Sequence, residues 1–401
     1  MQVRILAIVL ALSAPALAAG PDRPGVPYGH EYFTLRGGLN NCRIRFELER
    51  TGRVAFMGGS ITEGGAWRDL VCQDLRTRFP QTKFEFINAG ISSTGSTPGA
   101  FRLVRDVLSK ERVDLLFEEA AVNDQYNGYD DRAQIRGMEG IVRHTLLANP
   151  EMDVVLLHFA DPPKLEMIAK GQTPPVIANH EKVAGHYAAA SIDLAREVAE
   201  RIKAGEFTWA GDFKNLHPSP FGHRLYARSI GRLFDAAWKL PLPAGAKPQA
   251  HTLPAAPLDE KSYFRGRLGE LKDAELVSGW TLEPAWKPGD RTGTRRGFVN
   301  VPMLTAEQSG ATLKLKFTGT AVGLFVAAGP DAGVVEFSVD DLPARQQDLF
   351  TPWSRGLHIP WAYVLQADLP PGPHELTLRI AKDKNAASRG HACRIVHFLL
   401  N

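Results

Sequence analysis

The sequence predicts an α/β domain built on a parallel sheet, followed by a smaller antiparallel β-sandwich. Three observations carry this expectation. Between about residues 50 and 238, short apolar runs alternate with segments of helical spacing. Beyond residue 261 the hydrophobic period drops to two. Between them, Pro241 to Pro257 is rich in Pro and Ala and has no period, which reads as a semi-rigid linker. Short apolar strands alternating with helices argue for a parallel sheet covered on both faces.

The chain divides accordingly into residues 1–18, 43–240, 241–261 and 262–401. The first stretch reads as a signal peptide. Arg4 gives a positive start, Ile5 to Ala14 is apolar, and Ala16-Leu17-Ala18 is a small-x-small cleavage site, so the mature chain is expected to start near Ala19. The alternative is a buried N-terminal helix. The apolar run is too short for a permanent bilayer anchor, so a secreted or periplasmic protein with no stable membrane anchor is expected.

Val54-Ala55-Phe56-Met57 is the first strand of the repeating pattern, followed by a helix through Trp67, Leu70, Val71 and Leu75. Phe84 to Ile87 is a second strand, and Phe101, Val104, Val107 and Leu108 mark the next helix. Val113 to Phe117 forms a third strand, Ile141 to Leu147 a helix, and Val154 to Leu157 a fourth strand. The pattern then predicts one long helix from Glu181 to Lys203 and a last helix after Pro220. In the second part, Leu313, Leu315 and Phe317 alternate with Lys314 and Lys316. Val335, Phe337 and Val339 alternate in the same way, as do Leu376, Leu378 and Ile380. Turn signals at Ser309-Gly310, Gly329-Pro330-Asp331 and Pro370-Pro371-Gly372 separate them, the pattern of a sandwich.

With 401 residues, 44% hydrophobic and 23% charged, the chain has globular composition and room for two domains. The net charge is only +3 and no basic run exceeds a pair, which argues against nucleic-acid binding. Of three cysteines, Cys42 and Cys72 flank the first strand and are candidates for one disulfide. Cys393 lies between His391 and His397. Strand alternation would put Cys393 and His397 on one face with Ile395, a core rather than a metal site.

In a parallel sheet, ligands bind beyond the carboxyl ends of the strands, and four polar segments lie there. Met57-Gly58-Gly59-Ser60-Ile61-Thr62-Glu63-Gly64 places a serine on a tight turn, as a nucleophile or as a helix cap. Asn88 to Ser96 is a loop of small residues that a ligand can approach closely. Ala121-Val122-Asn123-Asp124 offers a side-chain amide to a developing oxyanion, or a plain turn. Asp212 to His223 places His217 before a proline turn, where a base reaches a serine at the first strand. His223 is a second candidate base, whereas His158, His180 and His186 have no complementary ligand set. Trp353, Trp361 and Tyr363 would stack on sugar rings or fill the sandwich.

Taken in order, the serine, the glycine-rich loop, the asparagine and the histidine resemble the SGNH, or GDSL-type, hydrolase family over residues 50 to 238. The resemblance implies a three-layer α/β/α fold and hydrolysis of acyl esters. It gives Ser60 as nucleophile, His217 as base and Asn123 as oxyanion-hole amide. The hole would be completed by the Ser60 N–H and one from Gly90, Ser93 or Gly95. Three positions depart from the family pattern. Gly59 replaces an aspartate, Ser93 stands where a glycine is usual, and Lys214 stands where the family acid would be. Asp212, the Asn215 side chain or a main-chain carbonyl would then have to orient His217.

The scheme needs no metal or organic cofactor. The expected substrate is an acylated, most simply acetylated, carbohydrate, by analogy with secreted family members that carry a β-sandwich. The rival readings are an acyltransferase, a lipid or short-chain esterase on the same residues, and a non-catalytic glycan-binding protein. The sequence leaves the oligomeric state undefined.

Overall fold

The structure, a computed structural model, describes residues 29–401. The expected signal peptide lies outside the described residues. Among them, the first domain contains strands β1 (Phe33–Thr34), β2 (Thr51–Gly58), β3 (Lys83–Gly90), β4 (Leu115–Glu119), β5 (Asp153–Leu157) and β6 (Ala190–Ile192). Its helices are α1 (Asn40–Glu47), α2 (Ser60–Gly64), α3 (Ala66–Arg78), α4 (Ser96–Leu103), α5 (Ala121–Tyr126), α6 (Asp131–Ala148), α7 (Pro162–Ala169), α8 (Pro175–His186), α9 (Leu194–Lys203) and α10 (Pro220–Ala237).

The six strands form one sheet in the order β1-β6-β5-β4-β2-β3, parallel except for β1. The chain passes from β2 to β3 on one side and then returns to β4 on the other. Strand order therefore reverses at β2, and the loops after β2, β3 and β4 diverge around one crevice. Side chains along β2 alternate between two cores. Val54 and Phe56 join Trp67, Phe117 and Tyr226 on one face, while Ala55 and Met57 join Phe101, Leu116 and Ile141 on the other.

The long helix expected from Glu181 to Lys203 is two helices, α8 and α9, separated by the edge-ward strand β6. Ala188 adopts φ 51°, which stops α8, and the Asp193 carboxylate accepts from Arg196 N–H to start α9. The small residues between them carry no hydrophobic period, so the helical pattern on either side runs together in sequence.

The second domain contains β7 (Arg267–Gly269), β8 (Ala274–Ser278), β9 (Thr281–Trp286), β10 (Gly293–Thr294), β11 (Val301–Ala306), β12 (Thr312–Gly319), β13 (Val322–Ala328), β14 (Val334–Val339), β15 (Arg345–Asp348), β16 (Leu357–Gln366), β17 (Gly372–Ile380) and β18 (Cys393–Leu400). They make a five-stranded sheet, β15-β14-β17-β12-β8, and a seven-stranded sheet, β10-β16-β13-β18-β11-β9 with β7 on β18. Nearly all pairs are antiparallel; β10 runs parallel to β16. Leu313, Leu315, Val335, Phe337, Leu376 and Leu378 from one sheet meet Leu324, Val326, Ile395 and Phe398 from the other.

The seven-stranded sheet is buried on its other face too. Met303, Phe325, Val396 and Leu399, with Trp286 and Phe298, belong to the same core as Met57, Phe101 and Ile141 of the first domain. The Pro/Ala-rich stretch is accordingly strapped to the first domain. Asn41 Nδ2 donates to Gln249 O at 2.8 Å, His251 N–H donates to Pro150 O at 2.8 Å, and Arg143 donates to Pro254 O at 2.9 Å.

Two smaller expectations change. Cys42 and Cys72 are both buried free thiols, as is Cys393. His397 does not share a face with Cys393 and Ile395, because pairing shifts between Phe325↔His397 and Val326↔Ile395. That bulge turns His397 toward the first domain, where Arg105 approaches its Nε2 to 2.9 Å. Among the described residues, no helix is long and apolar enough to cross a membrane.

Candidate active site

β2 ends in Gly58-Gly59, and Ser60 opens α2 directly after it, so its hydroxyl stands at the carboxyl end of the strand where the order reverses. The glycine at 59 is required by a close approach. A Cβ there would lie 1.9 Å from Asn123 Oδ1. As packed, the Asn123 side chain leaves no room for a side chain at 59. Ser60 is half-buried.

His217 arrives from the loop before α10. A π turn, Trp209–Phe213, leads to Lys214 at φ 82°, whose N–H donates to Trp209 O at 2.6 Å. Asn215 Oδ1 accepts from His217 N–H at 2.7 Å, and Ser219 caps α10 by accepting from Phe221 N–H. These bonds hold the imidazole so that its Nε2 lies 2.7 Å from Ser60 Oγ. Lost hydration, and secondarily the positive charge of Arg295, lower the pKa of His217 from its ordinary value.

Asp212 does not face His217. Its Oδ2 accepts from Thr208 N–H at 2.8 Å and from Thr208 Oγ at 3.1 Å, which closes the π turn instead. The Asn215 side chain is likewise spent on the His217 backbone. Among the described residues, no Asp or Glu pairs with the His217 ring.

Several of the candidate oxyanion groups keep unused donors. The Asn123 side chain lies against Gly59 and makes no hydrogen bond within the described protein. Ser93, at φ 70°, accepts from Asn127 Nδ2 through its carbonyl, while its own N–H has no acceptor among the described residues. Ser60 N–H lies in the first turn of α2, where helical N–H groups lack internal partners. Gly90 is excluded as a donor, because its N–H is taken by Asn88 Oδ1 at 3.0 Å. Gly95 packs closely, since a Cβ there would lie 2.0 Å from Asp124 Oδ1, and its N–H also has no acceptor among the described residues.

Residues 56–225 match the GDSL-like lipase/acylhydrolase family. This segment is a GDSL-like lipase/acylhydrolase domain. The whole chain resembles two solved structures of a two-domain esterase (CEX) active on acetylated mannans. The one co-crystallised with mannopentaose has a TM-score of 0.70 and 21% identity, covering 90% of this chain and 94% of that one. The other has a TM-score of 0.68 and 22% identity, covering 87% and 91%. The likeness therefore extends through both domains. No curated protein matches the chain.

Within the acylhydrolase domain, sequence reasoning missed the groups that fix the loops. Buried Asp124 accepts from Ser96 N–H at 2.7 Å, Ser96 Oγ at 2.6 Å and His180 Nε2 at 3.0 Å. It therefore ties the loop after β3 to α5, which carries Asn123. The Glu63 carboxylate accepts from both the N–H and the hydroxyl of Ser92, tying that loop to α2. The sequence offered only an Asn-Asp turn and a lone histidine as signals.

The remaining candidates are structural. His223 sits in α10 without contacting Ser60, and burial lowers its pKa. His158 bonds Glu181 at 2.8 Å, and His186 bonds Ala256 O at 2.9 Å. Trp361 and Tyr363 pack on the sandwich core, whereas Trp353 is half exposed. Among the described residues, no group of three or more His, Cys, Asp or Glu side chains is arranged to hold a metal. The acylhydrolase domain also meets a residue of the other domain that sequence reasoning passed over, Arg295, whose charge reaches His217.

Proposed function

We propose that the chain is a carbohydrate acetylesterase working through a Ser60–His217 dyad. The observation that carries this assignment is the 2.7 Å contact between Ser60 Oγ and His217 Nε2 at the reversal point of the sheet. His217, kept neutral by its lowered pKa, takes the Ser60 proton as the hydroxyl attacks the ester carbonyl. The tetrahedral oxyanion is received by the free donors of Asn123, Ser93 and Ser60. The imidazolium then protonates the leaving sugar hydroxyl, and water releases acetate from the acyl-enzyme. With no carboxylate at the His217 ring, orientation falls to the loop bonds through Asn215 and Ser219.

The carbohydrate part is supported by the two-domain likeness to an esterase active on acetylated mannans. The expected cleavage near Ala19 would place the enzyme outside the cytoplasm. The test is acetate release from an aryl acetate and from acetylated oligosaccharides. Ser60→Ala and His217→Ala should each lower kcat by about 10⁴-fold or more. Wild-type turnover in Ser60→Ala would refute the assignment.

A further inference from the structure

Arg102, near the end of α4, is fully buried and has no part in the reaction as described. A buried guanidinium costs free energy unless acceptors meet its donors, so its acceptors show what it holds. Its Nη1 donates to Ala89 O at 2.6 Å and to Asp106 Oδ2 at 2.8 Å. Its Nη2 donates to Gly58 O at 3.2 Å and to Thr94 Oγ at 3.3 Å. Of its nitrogens, only Nε lacks a partner among the described residues.

These acceptors belong to two turns that meet at the active site. Gly58 ends β2, two residues before Ser60. Ala89 and Thr94 bracket the stretch after β3 that carries Ser93. Two direct bonds also join the region. Ile91 N–H donates to Gly58 O at 3.0 Å, and Thr94 Oγ donates to Ile91 O at 2.7 Å. The Ser60 and Ser93 N–H groups are the backbone donors assigned to the oxyanion, and the guanidinium spans the two turns that carry them. Charge balance does not require this arrangement. Asp106 also accepts from Arg105 Nε at 2.6 Å, so it keeps an ion pair without Arg102. The other three contacts are to neutral oxygens, and a planar fork of donors reaches them together where a single ammonium would not.

We propose that Arg102 is a positioning residue for the oxyanion hole. It fixes the distance between the Ser60 turn and the Ser93 turn, so that both N–H groups converge on one oxygen. This rests on the Ser60–His217 esterase assignment and deepens it. Oxyanion donors work by being preorganised, and a misplacement of about 1 Å costs about 10²-fold in rate. Being fully buried, Arg102 does not reach the substrate; it acts through Gly58, Ala89 and Thr94.

The experiment measures aryl acetate hydrolysis per active site, with a fluorophosphonate counting the reactive Ser60. Arg102→Lys keeps the charge and the Asp106 pair but loses the fork. It should melt close to wild type, yet lower kcat by about 10-fold or more with KM changing only a few-fold. Arg102→Met should lower kcat by about 10²-fold. Combining Arg102→Lys with Asn123→Ala should cost less than the product of the single losses, because both act on one hole. Wild-type kcat in folded Arg102→Lys, or the full product in the double variant, overturns the proposal. Should neither Arg102 variant fold, Thr94→Val deletes one acceptor and leaves the ion pair. It should lower kcat by about 3-fold or more, and an unchanged kcat there overturns the proposal. A second arm is independent of turnover. The Ile91 and Thr94 amides donate to Gly58 O and Ile91 O. Their hydrogen exchange should quicken in Arg102→Lys while the amides of β4 and β5 stay protected; unchanged exchange overturns the proposal. A wild-type protein that cleaves no acetyl ester discards the esterase assignment, while the exchange arm still decides whether Arg102 holds the two turns.

Discussion

Ser60 and His217 are 157 positions apart in the chain, and their chemistry depends on which protonation state the imidazole holds. Burial, then the Arg295 charge, hold its pKa below the usual imidazole value of about 6.5. A base must be neutral, so activity is lost as pH falls through that lowered pKa and is retained above it. The acid limb of kcat/KM against pH should therefore have its midpoint below the ordinary histidine value. Arg295→Ala should move that limb upward, and an unmoved limb would separate the two residues. Asn123 gives a second expectation. Asn123→Ala removes one donor from the developing oxyanion and should lower kcat by about 10²-fold, with KM changing only a few-fold.

At the scale of elements, β4 shows what a sequence reveals and what it hides. The apolar run Val113 to Phe117 announces a strand, and Glu118-Glu119 follows it in the sequence. The strand in fact runs through both glutamates, which are buried at 1% exposure each. Burial pushes the Glu118 pKa up to about 8 and that of Glu119 to about 7. A carboxyl raised in the folded state favours folding fully below its unfolded pKa, and this contribution is lost as pH rises through the folded value. Glu118→Gln should accordingly raise the melting temperature relative to wild type most above pH 8 and least near pH 4. The gain should be on the order of a few kcal/mol, read by calorimetry across that range.

The positions of Ser60, Asn123 and His217 were legible because each follows a strand or loop signal that is local in sequence. Asp212 was not legible: its partner, Thr208, is chosen by a π turn that periodicity does not encode. Gly90 and Gly95 looked equivalent to Ser93 as small loop residues. What separates Gly90 from Ser93 is Asn88 Oδ1, which takes the Gly90 N–H, while Gly95 is marked by its close packing on Asp124. The α8–α9 break was hidden for a similar reason, since Ala188 to Ser191 carry no period.

For the whole molecule, the decisive feature is the core shared by Met57, Ile141, Phe298, Phe325 and Leu399. Neither domain closes that core alone. Unfolding of the full chain should give a single calorimetric transition, with calorimetric and van't Hoff enthalpies in agreement. A fragment ending at Leu240 should aggregate or melt far below the full chain, because it exposes the apolar face that the seven-stranded sheet covers. Two separate transitions, with the first domain melting unchanged, would contradict a common core. Arg295 belongs to this scale as well, since its charge reaches His217 from the other domain.

The segment from Gly293 to Phe298 divides its labour residue by residue. The strand pair, the buried Phe298 ring and the Phe298 N–H donated to Arg295 O bear the mechanical load, while the side chains of Arg295 and Arg296 make no salt bridge among the described residues. Substitution of those two side chains would therefore be cheap for the scaffold while changing the charge felt at His217.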